Sequence, residues 1–262
     1  MPTSLSRGSD ATRAKHALEL AWHESHPDVS EDERISRYKK LVLRRLRERQ
    51  WAMLGDVTGK RVLDVGCGVG RETVALAARG ARVVAVDLSP TLVAKARERA
   101  AAAGVAARVE FRVVAAEDVA AAGERFDVVI GNGVLHHIDI PVFKRTLSAL
   151  IAPGGTAQFQ EPLIHNPLLR LYRLVTRSQH SPTERPLSQR DVHDFARGFR
   201  RARVEYFNLL GLFLLPAPYV VGDRPAAWLL DLTLAADRML TALVPWLRRF
   251  SQYVVIQVGE PV

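Results

Sequence analysis

From Lys60 onward the chain alternates short β-branched runs with Ala-rich segments of helical spacing, and this alternation restricts the fold more than any other feature. The runs are "RVLDV" (61–65), "ARVVAVD" (81–87), "RVEFRVV" (108–114), "FDVVIGN" (126–132) and "TAQFQEP" (156–162), with helical spacing over 72–79, 91–103 and 141–151. Repeated strand, helix, strand units imply right-handed crossovers and a mostly parallel sheet covered on both faces. Such a sheet binds ligands beyond the carboxyl ends of its strands, where the strand order switches. With 262 residues, 48% of them hydrophobic, the chain suffices for one α/β core with appendages and not for two large domains.

The expected division is a helical N-terminal extension or lid over 1–57, an α/β core over 58–208, a helical insertion over 209–250 and a closing strand over 251–262. In the extension, Ser30 and Glu33 have capping-box spacing, and Ile35, Tyr38, Val42, Leu46 and Arg49 follow at helical intervals. A further helix starts near Ser188, and "RARVEYFNLL" (201–210) and "QYVVIQV" (252–258) read as the last strands. In the insertion, Trp228, Leu232, Ala236, Met239 and Leu243 line one side of a helical wheel, opposite Asp231, Asp237, Arg238 and Thr241. That apolar side requires a cover: the lead-in helix at 35–46, a second subunit in a homodimer, a hydrophobic substrate or peripheral contact with a membrane. A transmembrane segment is not expected, because "LLGLFLLPAPYVV" falls short of the span of about twenty residues and 226–247 carries Asp231, Asp237 and Arg238.

The formal net charge of +9 is concentrated. Residues 34–49 hold eight Lys or Arg against Glu48 alone, and 170–203 hold nine Arg against Glu184, Asp191 and Asp194. Such surfaces attract nucleic acid, phosphate or anionic membrane, or are simply solvated helix faces. Arg170, Arg173 and Arg177 share roughly helical spacing. Cys67 is the single cysteine, so no intramolecular disulfide framework exists, and with no signal-peptide pattern the expectation is a reducing, cytoplasmic setting.

Gly66, Gly68 and Gly70 follow the first strand and open a helix, which lets a ligand approach bare amides at a positive helix end. A dinucleotide fingerprint would be G-x-G-x-x-G; here Arg71 stands at its last glycine, which disfavours NAD. Asp87 ends the second strand, where a carboxylate can accept both hydroxyls of a ribose. The start signal at Leu88, Ser89 and Pro90 also accounts for an acid there as a helix-terminal charge.

"VLDVGCGVG", "VVAVDLSP", "AAEDV", "FDVVIGNGVLHHI" and "IAPGG", in this order and at these separations, resemble the class I S-adenosylmethionine (SAM) dependent methyltransferases, nearest to the ubiquinone/menaquinone methyltransferase-like group of small-molecule enzymes. The resemblance covers residues 60–161 and extends more weakly through "FARGFRRARVEYF". It implies a Rossmann-like seven-stranded sheet whose last strand is antiparallel, with a helical insertion before that strand and SAM across the tips of the first strands. It also implies that the loop of Gly66, Cys67, Gly68 and Gly70 faces the methionine part of SAM, with Asp64 near its ammonium, and that Asp87, beside Leu88, holds the ribose. Relatives carry Asp or Asn where this chain has Ala115, so backbone at Ala116, with Glu117 or Asp118, is expected to meet adenine. Asn132 and Val134 would pack under the cofactor, and Cys67 is read as a small residue lining the site.

Methyl transfer from a sulfonium is an in-line displacement, and an oxygen acceptor must also lose a proton. In the relatives, the pair corresponding to His136 and His137 lies beside the methyl, and Glu161 matches a position where some O-methyltransferases carry an acid. An imidazole with an unperturbed pKa of about 6.5 can take a hydroxyl proton near neutral pH. His137 is the favoured base; the alternative is that the pair and Glu161 simply hold loop backbone. His, Cys and carboxylates show no metal-ligand spacing, so no metal is expected. The Asp/Asn-Pro-Pro-Tyr/Phe signature of base amino methyltransferases is absent after strand four, where "GNGVLHH" stands, so nucleic acid is not the expected partner. The expectation is thus a methyltransferase acting on a hydrophobic small molecule, at a hydroxyl oxygen, in natural-product biosynthesis, with S-adenosylhomocysteine as the second product. The alternatives are C-methylation of a quinone precursor or prenyl diphosphate, and a SAM-binding protein that does not methylate.

Overall fold

The computed structural model describes residues 10–25, 37–175 and 185–262. Ser30, Glu33, Arg34, Ile35 and Arg177 lie outside the described residues, as does the side chain of Arg173. Among the described residues two helices precede the sheet, α1 (Asp10–Ser25) and α2 (Arg37–Leu54). Tyr38, Val42 and Leu46 face inward from α2 as their spacing requires, but the next inward residue is Gln50 and not Arg49. Arg49 instead pairs with Glu205.

The core then runs β1 (Arg61–Val65), α3 (Arg71–Ala78), β2 (Arg82–Asp87), α4 (Pro90–Ala102), β3 (Val109–Val113), α5 (Ala116–Ala121), β4 (Phe126–Asn132), α6 (Ile140–Leu150) and β5 (Ile151–Pro162). After α7 (Pro167–Val175), α8 (Gln189–Ala196) and β6 (Phe199–Phe207) come a short α9 (Ala217–Val220), α10 (Asp223–Leu243) and β7 (Tyr253–Pro261). The seven strands lie in the order β3-β2-β1-β4-β5-β7-β6. The first five are parallel, and β7 runs antiparallel to both β5 and β6. Alternate residues feed two cores: Leu63, Val65, Val84 and Val86 enter one, and Val62, Val83 and Ala85 the other. Both faces are therefore apolar, as a sheet covered on both sides demands. The strand order reverses between β1 and β4, which gathers the tips of β1, β2 and β4 around one cleft.

β6 stops three residues short of the expected 210 because Asn208 turns left-handed, with φ 66°. Its buried amide donates to the Tyr38 hydroxyl (2.8 Å) and to Gln252 Oε1 (2.5 Å), tying the insertion to α2 and β7.

The insertion differs from its expected orientation. Its packed face is Ala226, Leu230, Leu234 and Asp237, and Leu230 and Leu234 meet Tyr38 and Val42 of α2. The stripe of Trp228, Leu232, Met239 and Leu243 is turned to solvent, with Trp228 62% and Met239 69% exposed. The physical reason is Asp237, whose buried carboxylate accepts the backbone N–H groups of Leu209 and Leu210 (2.8 and 2.9 Å). Those amides have left β6 and need acceptors, so an acid becomes the interior residue and the helix turns with it. Much of the basic charge on α2 is used internally. Arg37 pairs with Asp223, Arg45 with Asp231, Arg47 with Glu72 and Arg49 with Glu205. Among the described residues, no helix is long and apolar enough to cross a membrane.

Candidate active site

β1 runs directly into a loop whose three glycines, Gly66, Gly68 and Gly70, have φ of 66°, 52° and 75°. A Cβ at Gly66 would stand 3.0 Å from Val134 Cγ2, and one at Gly70 would stand 2.8 Å from Ala96 Cβ. The first glycine thus lets the loop close on the end of β4, and the last lets α3 begin against α4. At Gly68 a Cβ would meet no atom within 4 Å, so the backbone there fronts open space. Asp87, at the tip of β2, holds this loop: Oδ2 accepts the Gly68 N–H (2.8 Å) and Oδ1 the Ser89 N–H (2.9 Å). Both carboxylate oxygens of Asp87 thus fix the loop backbone at the tip of β2.

Gly66, Gly68, Asp87, Leu88, Ala116, Glu117, Asn132 and Val134 line one cavity of about 230 Å³, and His137 joins them. The bare loop, the acid at the tip of β2 and the small Ala115 and Ala116 fit a nucleoside bearing an amino acid chain. Three residues expected here are set back. Asp64 is buried beneath the loop and accepts a hydrogen bond from Thr73 Oγ1 (2.5 Å); burial raises its carboxyl to about 7. Cys67 belongs to the apolar core with Val62, Leu76 and Ile130, where burial pushes its thiol well up, so it neither lines the cavity nor supplies a thiolate. Gly70 caps α3. The insertion is not a wall of this cavity either; the wall on that side is α1, through His16, Glu19 and Leu20.

The two histidines part company. They lie in one 3₁₀ turn, Leu135–His137, where successive side chains leave the axis about 120° apart. His136 points away from the cofactor cavity and lines a second one of about 380 Å³, with Asp139 and Arg185. Its Nδ1 lies 2.6 Å from Oε2 of the fully buried Glu161, whose Oε1 accepts the N–H groups of Val134 (2.9 Å) and Leu135 (2.8 Å). Glu161 thus joins His136 to the backbone of the turn, a contact that both the base reading and the backbone-holding reading allow. His137 faces the cofactor cavity, and its Nδ1 lies 3.0 Å from Glu19 Oε1.

Sequence reasoning missed four residues that shape the site. His16 and Glu19 come from α1, one turn apart on the same face, but nothing local in "KHALELAWHE" ties that face to strand four. Glu24, on the same helix, bonds the hydroxyls of Ser89 and Thr91, the latter at 2.6 Å. Gln50 of α2 donates to Asn132 Oδ1 (2.6 Å) and so fixes the end of β4. Among the described residues no group of three or more His, Cys, Asp or Glu is arranged to hold a metal.

Residues 62–155 match the family model described as a methyltransferase domain. The ubiquinone biosynthesis O-methyltransferase of Sinorhizobium medicae (strain WSM419) is 43% identical over 98 residues, which are 37% of this chain and 39% of that protein. The chain thus spans about two fifths of the length of the curated relatives it matches. Among solved structures, magnesium protoporphyrin IX methyltransferase from Synechocystis PCC 6803 with bound S-adenosylhomocysteine superposes with a TM-score of 0.59 at 17% identity, covering 94% of this chain and 99% of that one. Phosphoethanolamine N-methyltransferase 1 of Haemonchus contortus, in complex with phosphoethanolamine and S-adenosylhomocysteine, gives 0.61 at 16% identity, covering 97% of this chain and 50% of that one. These two likenesses concern the fold alone. Residues 62–155 thus match a methyltransferase domain, and the chain around them shares the fold of these methyltransferase structures.

Proposed function

We propose that this chain transfers the methyl group of SAM to a hydroxyl oxygen of a hydrophobic small molecule, releasing S-adenosylhomocysteine. The observation that carries the reading is His137 on the wall of the cavity that also holds Asp87 and the glycine loop. When bound, SAM supplies an electrophilic methyl group on a sulfonium. The chain holds the donor through Asp87 at the ribose, Gly66 and Gly68 at the amino acid end, and backbone at Ala116 and Glu117 at the base. Asp64 acts from beneath the loop. Leu20, Val134, Ile138 and Phe143 give apolar walls that exclude water and favour an acceptor with little polar surface. His137 takes the acceptor's hydroxyl proton as the oxygen gains the methyl, and passes it to solvent.

Identity to O-methyltransferases of ubiquinone biosynthesis over the core supports an oxygen acceptor. The test is incubation with SAM and a panel of hydroxylated quinone precursors and phenolic natural-product precursors, read by product mass and S-adenosylhomocysteine release. Methylated product with one hydroxyl fewer is the expected outcome, and the acceptor turned over fastest separates the quinone from the natural-product setting. A methylated product that keeps every hydroxyl favours C-methylation. Tight SAM binding with no methylated product from any acceptor would overturn the reading.

A further inference from the structure

Helix α1 crosses the mouth of the cofactor cavity and is fastened on both sides. On the ribose side Glu24 accepts from the hydroxyls of Ser89 and Thr91, next to Asp87. On the side of strand four Glu19, which is buried, places Oε1 3.0 Å from Nδ1 of His137. Leu20 closes the wall between the two fastenings, and His16 extends it beyond Glu19.

We propose that Glu19 is the residue that positions His137 for proton transfer, so that the acid and imidazole pair of this enzyme is assembled from two separate elements and is complete only when α1 is seated. The proposal rests on the reading of His137 as the base. Glu19 Oε1 lies 3.0 Å from Nδ1 but out of hydrogen-bond alignment, so a small rotation of the imidazole as the acceptor enters would bring Nδ1–H onto the carboxylate and leave Nε2 as the acceptor nitrogen, which is the tautomer a base needs. Glu161, on the other side of the turn, is bonded to His136 and to two backbone amides. The charged groups around the ring are Lys15, His16 and Glu19 from α1, His136 and Asp139 from its own loop, Glu161 from β5, and Asp87 and Glu117 across the cavity. Of these, Glu19 makes the ion-pair contact with Nδ1. Because the same helix binds Ser89 beside the ribose carboxylate, seating of α1 over the donor and alignment of the base become one event, which restricts turnover to the closed, water-excluding state.

The test compares Glu19→Gln, Glu19→Asp, Glu24→Gln and His137→Ala in the full chain. Glu19→Gln is expected to lower kcat by about ten- to a hundredfold, the usual effect of removing a carboxylate behind a functional histidine. KM for SAM and affinity for S-adenosylhomocysteine should stay within about twofold, with partial recovery of kcat in Glu19→Asp. Glu24→Gln, which loosens the same helix on the ribose side, should raise KM for SAM and lower kcat together. Nitrogen-15 NMR of the imidazoles with S-adenosylhomocysteine bound should show His137 protonated at Nδ1 in the wild type and a mixture of tautomers in Glu19→Gln. An unchanged tautomer, or a kcat equal to wild type in Glu19→Gln while His137→Ala is impaired, overturns the role of Glu19 and leaves the base standing. Full activity of His137→Ala removes the base instead, and the tautomer measurement then still decides whether Glu19 orients the ring.

Discussion

His136 and Glu161 meet at 2.6 Å in a site closed to solvent, and the other oxygen of Glu161 takes the amides of Val134 and Leu135. One carboxylate thus sets the shape of the turn that carries His137 to the cavity. Its loss breaks a buried pair and orphans two backbone donors, which costs about 3 to 5 kcal/mol. Glu161→Ala and His136→Ala should accordingly lower the melting temperature by several degrees. His137→Ala should leave the melting temperature nearly unchanged and cut kcat about a hundredfold or more if the ring is a general base. Thermal melts beside steady-state kinetics separate the two classes; a fully stable His136→Ala would remove the bracing role.

Asp87→Ala should weaken S-adenosylhomocysteine binding by about 1.5 to 3 kcal/mol, the cost of losing hydrogen bonds to a charged acceptor. The loss has two parts, because Asp87 also holds the amides of Gly68 and Ser89 and so shapes the loop that receives the ligand. Calorimetry on the folded variant checks this. Equal affinity in variant and wild type would exclude Asp87 from the ribose.

The buried carboxyl of Asp64 titrates at about 7 in the folded protein against an ordinary 3.8, chiefly because burial disfavours its charge, with Glu72 and Asp87 adding to the shift and Thr73 opposing it. Between these two values the folded protein keeps a proton that the unfolded chain has released, so stability falls as pH rises from about 4 to about 7 and levels off above. Asp64→Asn should flatten this decline in melts recorded from pH 5 to 8. A wild-type slope that persists unchanged in the variant would place the titrating group elsewhere.

On α10 the structure reverses the weights that the helical wheel assigns. Trp228→Ser and Met239→Ser, on the exposed stripe, should each change stability by no more than about 0.5 kcal/mol. Leu230→Ala should cost about 2 to 5 kcal/mol through loss of packing against Tyr38 and Val42. Asp237→Ala should also destabilise, by leaving the Leu209 and Leu210 amides without an acceptor. Denaturant unfolding of the four variants is the check, and a destabilised Trp228→Ser with an unaffected Leu230→Ala would contradict the packing described.

The strands, their parallel crossovers and the glycine loop and acid at the tips of β1 and β2 were legible because each depends on near neighbours in the chain. Alternation of Val and Leu in "RVLDV" and "RVVAVD" encodes two buried faces, and the glycines of "GCGVG" encode positive φ with no help from afar. Wheel reasoning on α10 failed because it assumes that an acid faces water. Asp237 is interior for a reason 27 and 28 residues away, the orphaned amides at Leu210 and Leu209. Cys67 was misplaced for a similar reason: its position in the loop is local, but the direction of its side chain is set by packing against Leu76 and Ile130.

The α/β class, the bare glycine loop and the acid at the tip of β2 follow from the residues alone, since backbone freedom, strand propensity and one carboxylate are properties of short segments. Packing of the folded molecule set which histidine lines the cavity beside Asp87, that Glu161 meets the backbone of the turn, and that α1 brings Glu19 to His137 across 118 positions of chain. Hydrogen bonds and ion pairs depend on angstrom distances between groups that spacing along the chain does not relate. Those distances are set by how helices seat on the sheet, and therefore by the whole packed molecule.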